Sequence, residues 1–269
     1  MLWAAIAMAL VACGQSAPTA IARPTEAGEL VVRVETRGGL LPPLERERQA
    51  PEISIYGDGL VIVPAPFRDI FPGPAGYDLE AFRIEPGLID DIVAEAAAIG
   101  LRGASRRIEQ PGPEFVADAG ATTITIVTEG QTHVTSADAL FDTDSTQERA
   151  LLADFVGRLR ALRATADGIT PYEAAATRVY VAVPDPGFGP DLELGEEVEW
   201  PFDDPLATWG EPIPPDGLSV DVRCRVVRSE ELKAGLPVLE AANVATVVVD
   251  GTDRRIVALR PLLPDEDRC

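Results

Sequence analysis

The sequence predicts an α+β fold of antiparallel sheets with packed helices, in which two diverged helix-plus-hairpin modules are an open possibility. Three observations point there. Short β-branched runs alternate at period two around Gly turns. A few stretches repeat apolar residues at helical spacing. Contents of 24 Pro and 23 Gly favour turns over a long-helix bundle. With 46% apolar and 25% charged residues over 269 positions, the chain can bury a sizeable core.

Leu30, Val32 and Val34 alternate with partners expected to be charged or less buried between Glu29 and Arg37, the period of a half-buried strand that Gly38-Gly39 ends. Ile53 to Tyr56 and Leu60 to Val63 flank Gly57-Asp58-Gly59, a hairpin signal because Gly supplies positive φ. Pro64 to Gly76 is a loop, and Leu79 to Ile84 a further strand. Pro86 suits a first helical turn; Leu88, Ile89, Ile92, Val93, Ala96 and Ile99 then repeat at helical spacing up to Gly100, a C-terminal cap. Thr122 to Thr128 and Gln131 to Ser136 form a second hairpin around Glu129-Gly130. Ser145-Thr146-Gln147-Glu148 has capping-box spacing before a helix whose apolar side is Leu151, Leu152, Phe155, Val156, Leu159 and Leu162.

Ala164 to Pro171 is the best boundary between modules 29–165 and 170–269. Thr177 to Val183 opens the second as a strand, and a long acidic, Pro-rich passage follows from Pro184 to Gly217. Leu218 to Val227 reads as a strand bearing Cys224, and Ser229 as the cap of a helix that Gly235 and Pro237 interrupt. Val244 to Leu259 turns at Asp250-Gly251. Strand, helix and hairpin thus recur at 79–136 and 218–259, through duplication or through common α+β economy.

Acidic residues outnumber basic ones 44 to 23, for a net charge of -21, so nucleic acid is excluded as a partner and electrostatic docking on anionic lipid is disfavoured. Leu2 to Ala12 is an uncharged apolar run too short to cross a bilayer core of roughly 30 Å, and it reads as a signal segment over 1–12. It ends in Leu10-Val11-Ala12-Cys13, which resembles the bacterial lipobox. That resemblance implies cleavage before Cys13 and diacylglycerol on its thiol, so that the membrane is a partner through lipid. Residues 13–28 are expected to be a flexible tether. Cys224 and Cys269 remain, a pair expected to be oxidised outside the cytoplasm across a loop of about 45 residues.

Catalytic signatures are scarce. One His and one Lys rule out two-histidine metal sites, and H-E-x-x-H, C-x-x-C, G-x-S-x-G, Walker and G-x-G-x-x-G motifs do not occur. His133 alternates along a hairpin arm as an exposed strand residue would, and Lys233 follows Glu230 and Glu231 on a helix surface. Asp138, Asp142, Asp144 and Glu148 cluster near a helix start without EF-hand spacing, so capping explains them more simply than calcium. No metal and no cofactor is expected, and no catalytic residue is assigned. Phe188, Trp200, Phe202 and Trp209 lie on the acidic passage as a partner-binding surface or, the simpler alternative, as anchors holding a long loop to the core. Phe67, Phe71, Pro72, Pro74 and Tyr77 are read as anchors too.

Ile53 to Gly59, Phe71-Pro72-Gly73-Pro74, Trp200-Pro201 and Arg260 to Asp265 together resemble predicted lipoproteins of high-GC Gram-positive bacteria, a group with no assigned activity. The resemblance implies an envelope location, at the outer face of the cytoplasmic membrane, and the lipidated cysteine. A non-catalytic binding or scaffold role toward an envelope protein or small ligand is the expectation. The alternatives are a hydrolase using paired carboxylates and a regulator of an envelope enzyme.

Overall fold

The computed structural model describes residues 21–39, 41–66, 70–110, 116, 118–141, 146–184, 194–213 and 221–269. In chain order the first half runs β1 (Leu30–Arg37), α1 (Pro43–Arg48), β2 (Ile53–Tyr56), β3 (Leu60–Pro64) and β4 (Leu79–Arg83). It continues through α2 (Pro86–Ala98), β5 (Arg106–Ile108), β6 (Ala121–Thr128), β7 (Gln131–Asp138), α3 (Gln147–Thr165) and β8 (Thr170–Pro171). The second half holds β9 (Ala176–Ala182), β10 (Glu197–Glu199), a 3₁₀ turn (Leu206–Thr208) and β11 (Glu211–Pro212). It closes with β12 (Val222–Arg228), α4 (Ser229–Ala241), β13 (Val247–Asp250) and β14 (Asp253–Pro261).

These strands form two sheets, ordered β5-β7-β6-β1-β2-β3-β4-β8 and β10-β13-β14-β9-β12-β11, antiparallel except for β5/β7 and β10/β13. The fold is therefore α+β, as the pattern predicted. The change of sheet falls between Pro171 and Ala176, because Thr170–Pro171 still pairs with β4.

In the first sheet β6 alternates cleanly, sending Thr122, Ile124, Ile126 and Thr128 inward. Ile89, Val93 and Ala96 of α2 and Leu152, Phe155 and Val156 of α3 close over that face with Val32, Val34 and Phe82. α2 stops where Gly100 takes φ +83°, a conformation that Gly adopts without Cβ strain. The α3 cap differs from the expected box. Thr146 is the capping residue and its hydroxyl accepts from Arg149 N at 3.3 Å, while Glu148 pairs with Arg106.

Both faces of the second sheet are covered. Val179, Val181, Val248 and Val257 face α4 and the aromatic passage, whereas Tyr180, Ala182, Val247 and Ile256 face Leu44 of α1. α4 is not broken at Gly235 and Pro237; it runs through both, with Leu232 and Leu239 held in the core. Ser229 is its first residue and not its cap, and the Ser229 hydroxyl donates to Ala174 O at 2.8 Å.

The two strand–helix–hairpin units differ in topology. In the first sheet the earlier hairpin strand, β6, lies beside central β1; in the second the later one, β14, lies beside central β9. The shared order is thus realised with two different strand adjacencies.

Each half also reaches into the other. Leu44 packs on the second sheet, and Ala75 N donates to Ala242 O at 3.0 Å while Leu259 N donates to Ala75 O at 2.8 Å. In return, Leu263 packs with Tyr56, Ile62 and Leu79 on the outer face of the first sheet.

Candidate functional site

The aromatic passage is an anchor. Trp200 and Trp209 are buried, and their rings meet edge-on at 4.8 Å. Phe202 stacks on Trp209 at 4.8 Å, and the Arg225 guanidinium lies 4.5 Å from the Trp209 ring centre. Trp200 Nε1 donates to Asp204 O at 2.9 Å, and Arg223 donates to Trp209 O and Gly210 O at 2.9 and 2.8 Å. A side chain at Gly210 would run into the Cys224 carbonyl, which keeps the passage tight against β12. Gly235 lets α4 close over the cluster, since a Cβ there would stand 3.0 Å from Phe202 and Pro201. The partner-binding alternative is thus corrected in favour of anchoring for Trp200 and Trp209, whose rings are buried, and for Phe202, which is partly buried against them. Phe188 lies outside the described residues.

The opposite correction applies to the shorter aromatic loop. Phe71 is 79% exposed and Ile70 53%, so this part of the loop is a presented tip and not an anchor. Its base is firmly held. Arg48 donates to the carbonyls of Pro74 and Ala75 at 2.8 and 3.2 Å, sits 5.8 Å from the Tyr77 ring centre, and pairs with Glu45 at 2.8 Å. Val244 N donates to Gly73 O at 2.9 Å. Phe67 lies outside the described residues.

Cys224 and Cys269 are joined, with Cα atoms 5.9 Å apart. The last residues therefore double back over the seam between the sheets and bring carboxylates to buried arginines. Asp265 accepts from Arg33 at 2.7 Å and from the Tyr56 hydroxyl at 2.9 Å. Glu266 accepts from Arg260, whose side chain is 1% exposed, at 2.8 Å, and lies 3.3 Å from Arg178. Burial, reinforced by Asp265, pushes the Tyr56 phenol well above its ordinary range. Burial likewise raises Tyr172 and Tyr180, each to about 12. These ion pairs clasp the C-terminal segment onto both sheets.

His133 is half-buried on β7, against the turn after α2 rather than in open solvent. Its Nδ1 lies 3.0 Å from Gly103 O and its Nε2 3.4 Å from the Thr128 hydroxyl. Open depressions of about 510 and 610 Å³ flank Gly103–Ser105, lined by Arg102 and His133 on one side and Arg106 and Leu151 on the other. The cations here carry acids: Arg102 pairs with Glu129 at 3.0 Å, and Arg106 with Glu148. Asp138 is held by Arg107 at 2.8 Å, while Asp142 and Asp144 lie outside the described residues. No group of three side chains able to hold a metal occurs among the described residues. Lys233 is exposed on α4.

Within the expected tether 13–28, residues 21–28 are held to the body instead. Ile21 packs against the main core, Glu129 N donates to Ala22 O at 2.8 Å, and Arg23 binds Asp90 at 2.6 Å. Cys13 lies outside the described residues. No helix among the described residues is long and apolar enough to cross a membrane. Comparison of the chain with protein-family models, with curated proteins and with solved structures finds no match.

Proposed function

We propose that this protein is a lipoprotein anchored through Cys13 to the outer face of the bacterial cytoplasmic membrane, where it binds or scaffolds another envelope component without catalysing a reaction. The observation that carries the proposal is the allocation of thiols. Of three cysteines, Cys224 and Cys269 are joined, which fits an oxidising compartment, and the third stands in Leu10-Val11-Ala12-Cys13. Radiolabelled palmitate is expected to enter the wild type and not Cys13→Ser; equal incorporation overturns the anchoring.

The binding role is supported by the Ile70–Phe71 tip, an exposed apolar pair on a base clamped by Arg48 and β14. An aromatic presented on a fixed base gives contact area with little ordering entropy to lose. The same feature favours a second reading, that the tip regulates an envelope enzyme by occupying a cleft in it. In either case an envelope partner retained by the wild-type ectodomain is released by Phe71→Ala. Turnover of a glycan library by the purified protein would overturn the non-catalytic assignment.

A further inference from the structure

We propose that the end of the first sheet where the N-terminal segment joins the body is the surface that faces the bilayer, and that the Ile70–Phe71 tip is held on the far side. The proposal rests on the reading that Cys13 is acylated.

The attachment comes first. Arg23, whose side chain is 7% exposed, donates to Asp90 at 2.6 Å and to the carbonyls of Pro86 and Gly57 at 3.2 and 3.3 Å. A Cβ at Gly57 would stand 2.8 Å from backbone atoms of Thr25 and Glu26, so the segment lies directly on the β2–β3 turn. With Ala22 tied to Glu129 at the β6–β7 turn, residues 21–29 cross one end of the sheet from hairpin to hairpin.

Register then fixes which end this is. Leu30 pairs with Tyr56 and Val32 with Ile126, so the start of β1, the turns at 57–59 and 129–130, and the start of α2 share one end. Arg37 pairs with Ala121 at the other end. Pro64 pairs with Leu79 there, and the loop between them carries Ile70 and Phe71.

Length decides which end lies nearer the lipid. Cys13 is eight peptide steps from Ile21, a reach of at most about 29 Å at roughly 3.6 Å per residue. The eight residues of β1 span about 26 Å at roughly 3.3 Å each. With the sheet standing on the membrane, only a nearly fully extended link would reach past its length to set the opposite end at the lipid, and every shorter link sets the N-terminal end there. Glu26, Glu85, Asp90 and Glu129 are exposed at that end, so an anionic surface repels it, and the acyl chains, not a basic patch, hold it there.

The test uses the full acylated chain in vesicles of phosphatidylcholine and phosphatidylglycerol carrying headgroup nitroxides, with one fluorophore at Gly87→Cys or at Phe71→Cys. Gly87, near the start of α2, is exposed, and a Cβ there meets nothing within 4 Å. The Gly87 label should be quenched several-fold more than the Phe71 label, and a 20-residue Gly-Ser insertion after Ser16 should erase the difference. Equal or reversed quenching of vesicle-bound protein overturns the orientation while leaving acylation intact. Failure of the wild type to float with vesicles, or flotation of Cys13→Ser, overturns the acylation reading and the orientation with it.

Discussion

Trp209 is 1% exposed and Phe71 79% exposed, and their substitution should separate packing from presentation. Trp209→Ala removes a buried ring that Trp200, Phe202 and Arg225 all touch, a loss of about 3–5 kcal/mol in urea denaturation. Phe71→Ala should change stability by less than about 0.5 kcal/mol, because its ring is already in water. If Phe71→Ala destabilises as much as Trp209→Ala, the tip is packed and the binding proposal loses its surface. Arg48 works at this scale too: one guanidinium fastens three backbone carbonyls, since Gly76 O also accepts from it at 3.4 Å.

The C-terminal segment shows how an element without regular structure carries stability. Glu266→Gln leaves the buried Arg260 guanidinium without its carboxylate partner, and breaking a buried pair from one side destabilises by about 3–5 kcal/mol. Replacing both Cys224 and Cys269 by Ser should remove up to about 4 kcal/mol for a 45-residue separation, by returning entropy to the unfolded chain. The two effects act on different states, the charge loss on the folded one and the disulfide loss on the unfolded one. Melting midpoints of the two variants and of their combination measure them; a Glu266→Gln protein as stable as wild type would mean that the clasp is solvated.

At the scale of the whole molecule, all four tyrosines lie above the ordinary value near 10. Burial is the main cause at each. The folded protein therefore keeps phenolic protons that the unfolded chain has released, and the stability this lends is complete below pH 10 and falls as pH rises from 10 through about 12. Tyrosinate absorbance at pH 10.5 should be much lower in the native protein than in urea at the same pH. A native ionisation step near pH 10 would show that these rings are accessible. Because α1 and the 73–76 strap are built into the second sheet and Leu263 into the first, the halves should also unfold in one transition; two separated transitions would show them to be independent.

The order and type of the longer elements were determined by the sequence alone, because period-two runs such as Thr122 to Thr128, and helical spacing such as Ile89, Val93 and Ala96, need only local partition between water and core. The pairing of Cys224 with Cys269 was expected once the lipobox resemblance set Cys13 aside. Cys13, from which the envelope reading starts, is likewise a sequence observation. Short elements such as α1, β5, β8 and β10 escaped, since each is held by distant partners: Leu44 by the second sheet, β8 by β4. Which aromatics are covered was decided only by the tertiary structure. Trp209 and Phe71 both sit in Pro-rich loops, and burial depends on whether another part of the chain arrives to cover the ring, as α4 does at Gly235 and nothing described does at Phe71. Strand order belongs to the same class: nothing local says whether β13 or β14 lies beside β9, because that choice is a contest between long-range pairings and not a property of either strand.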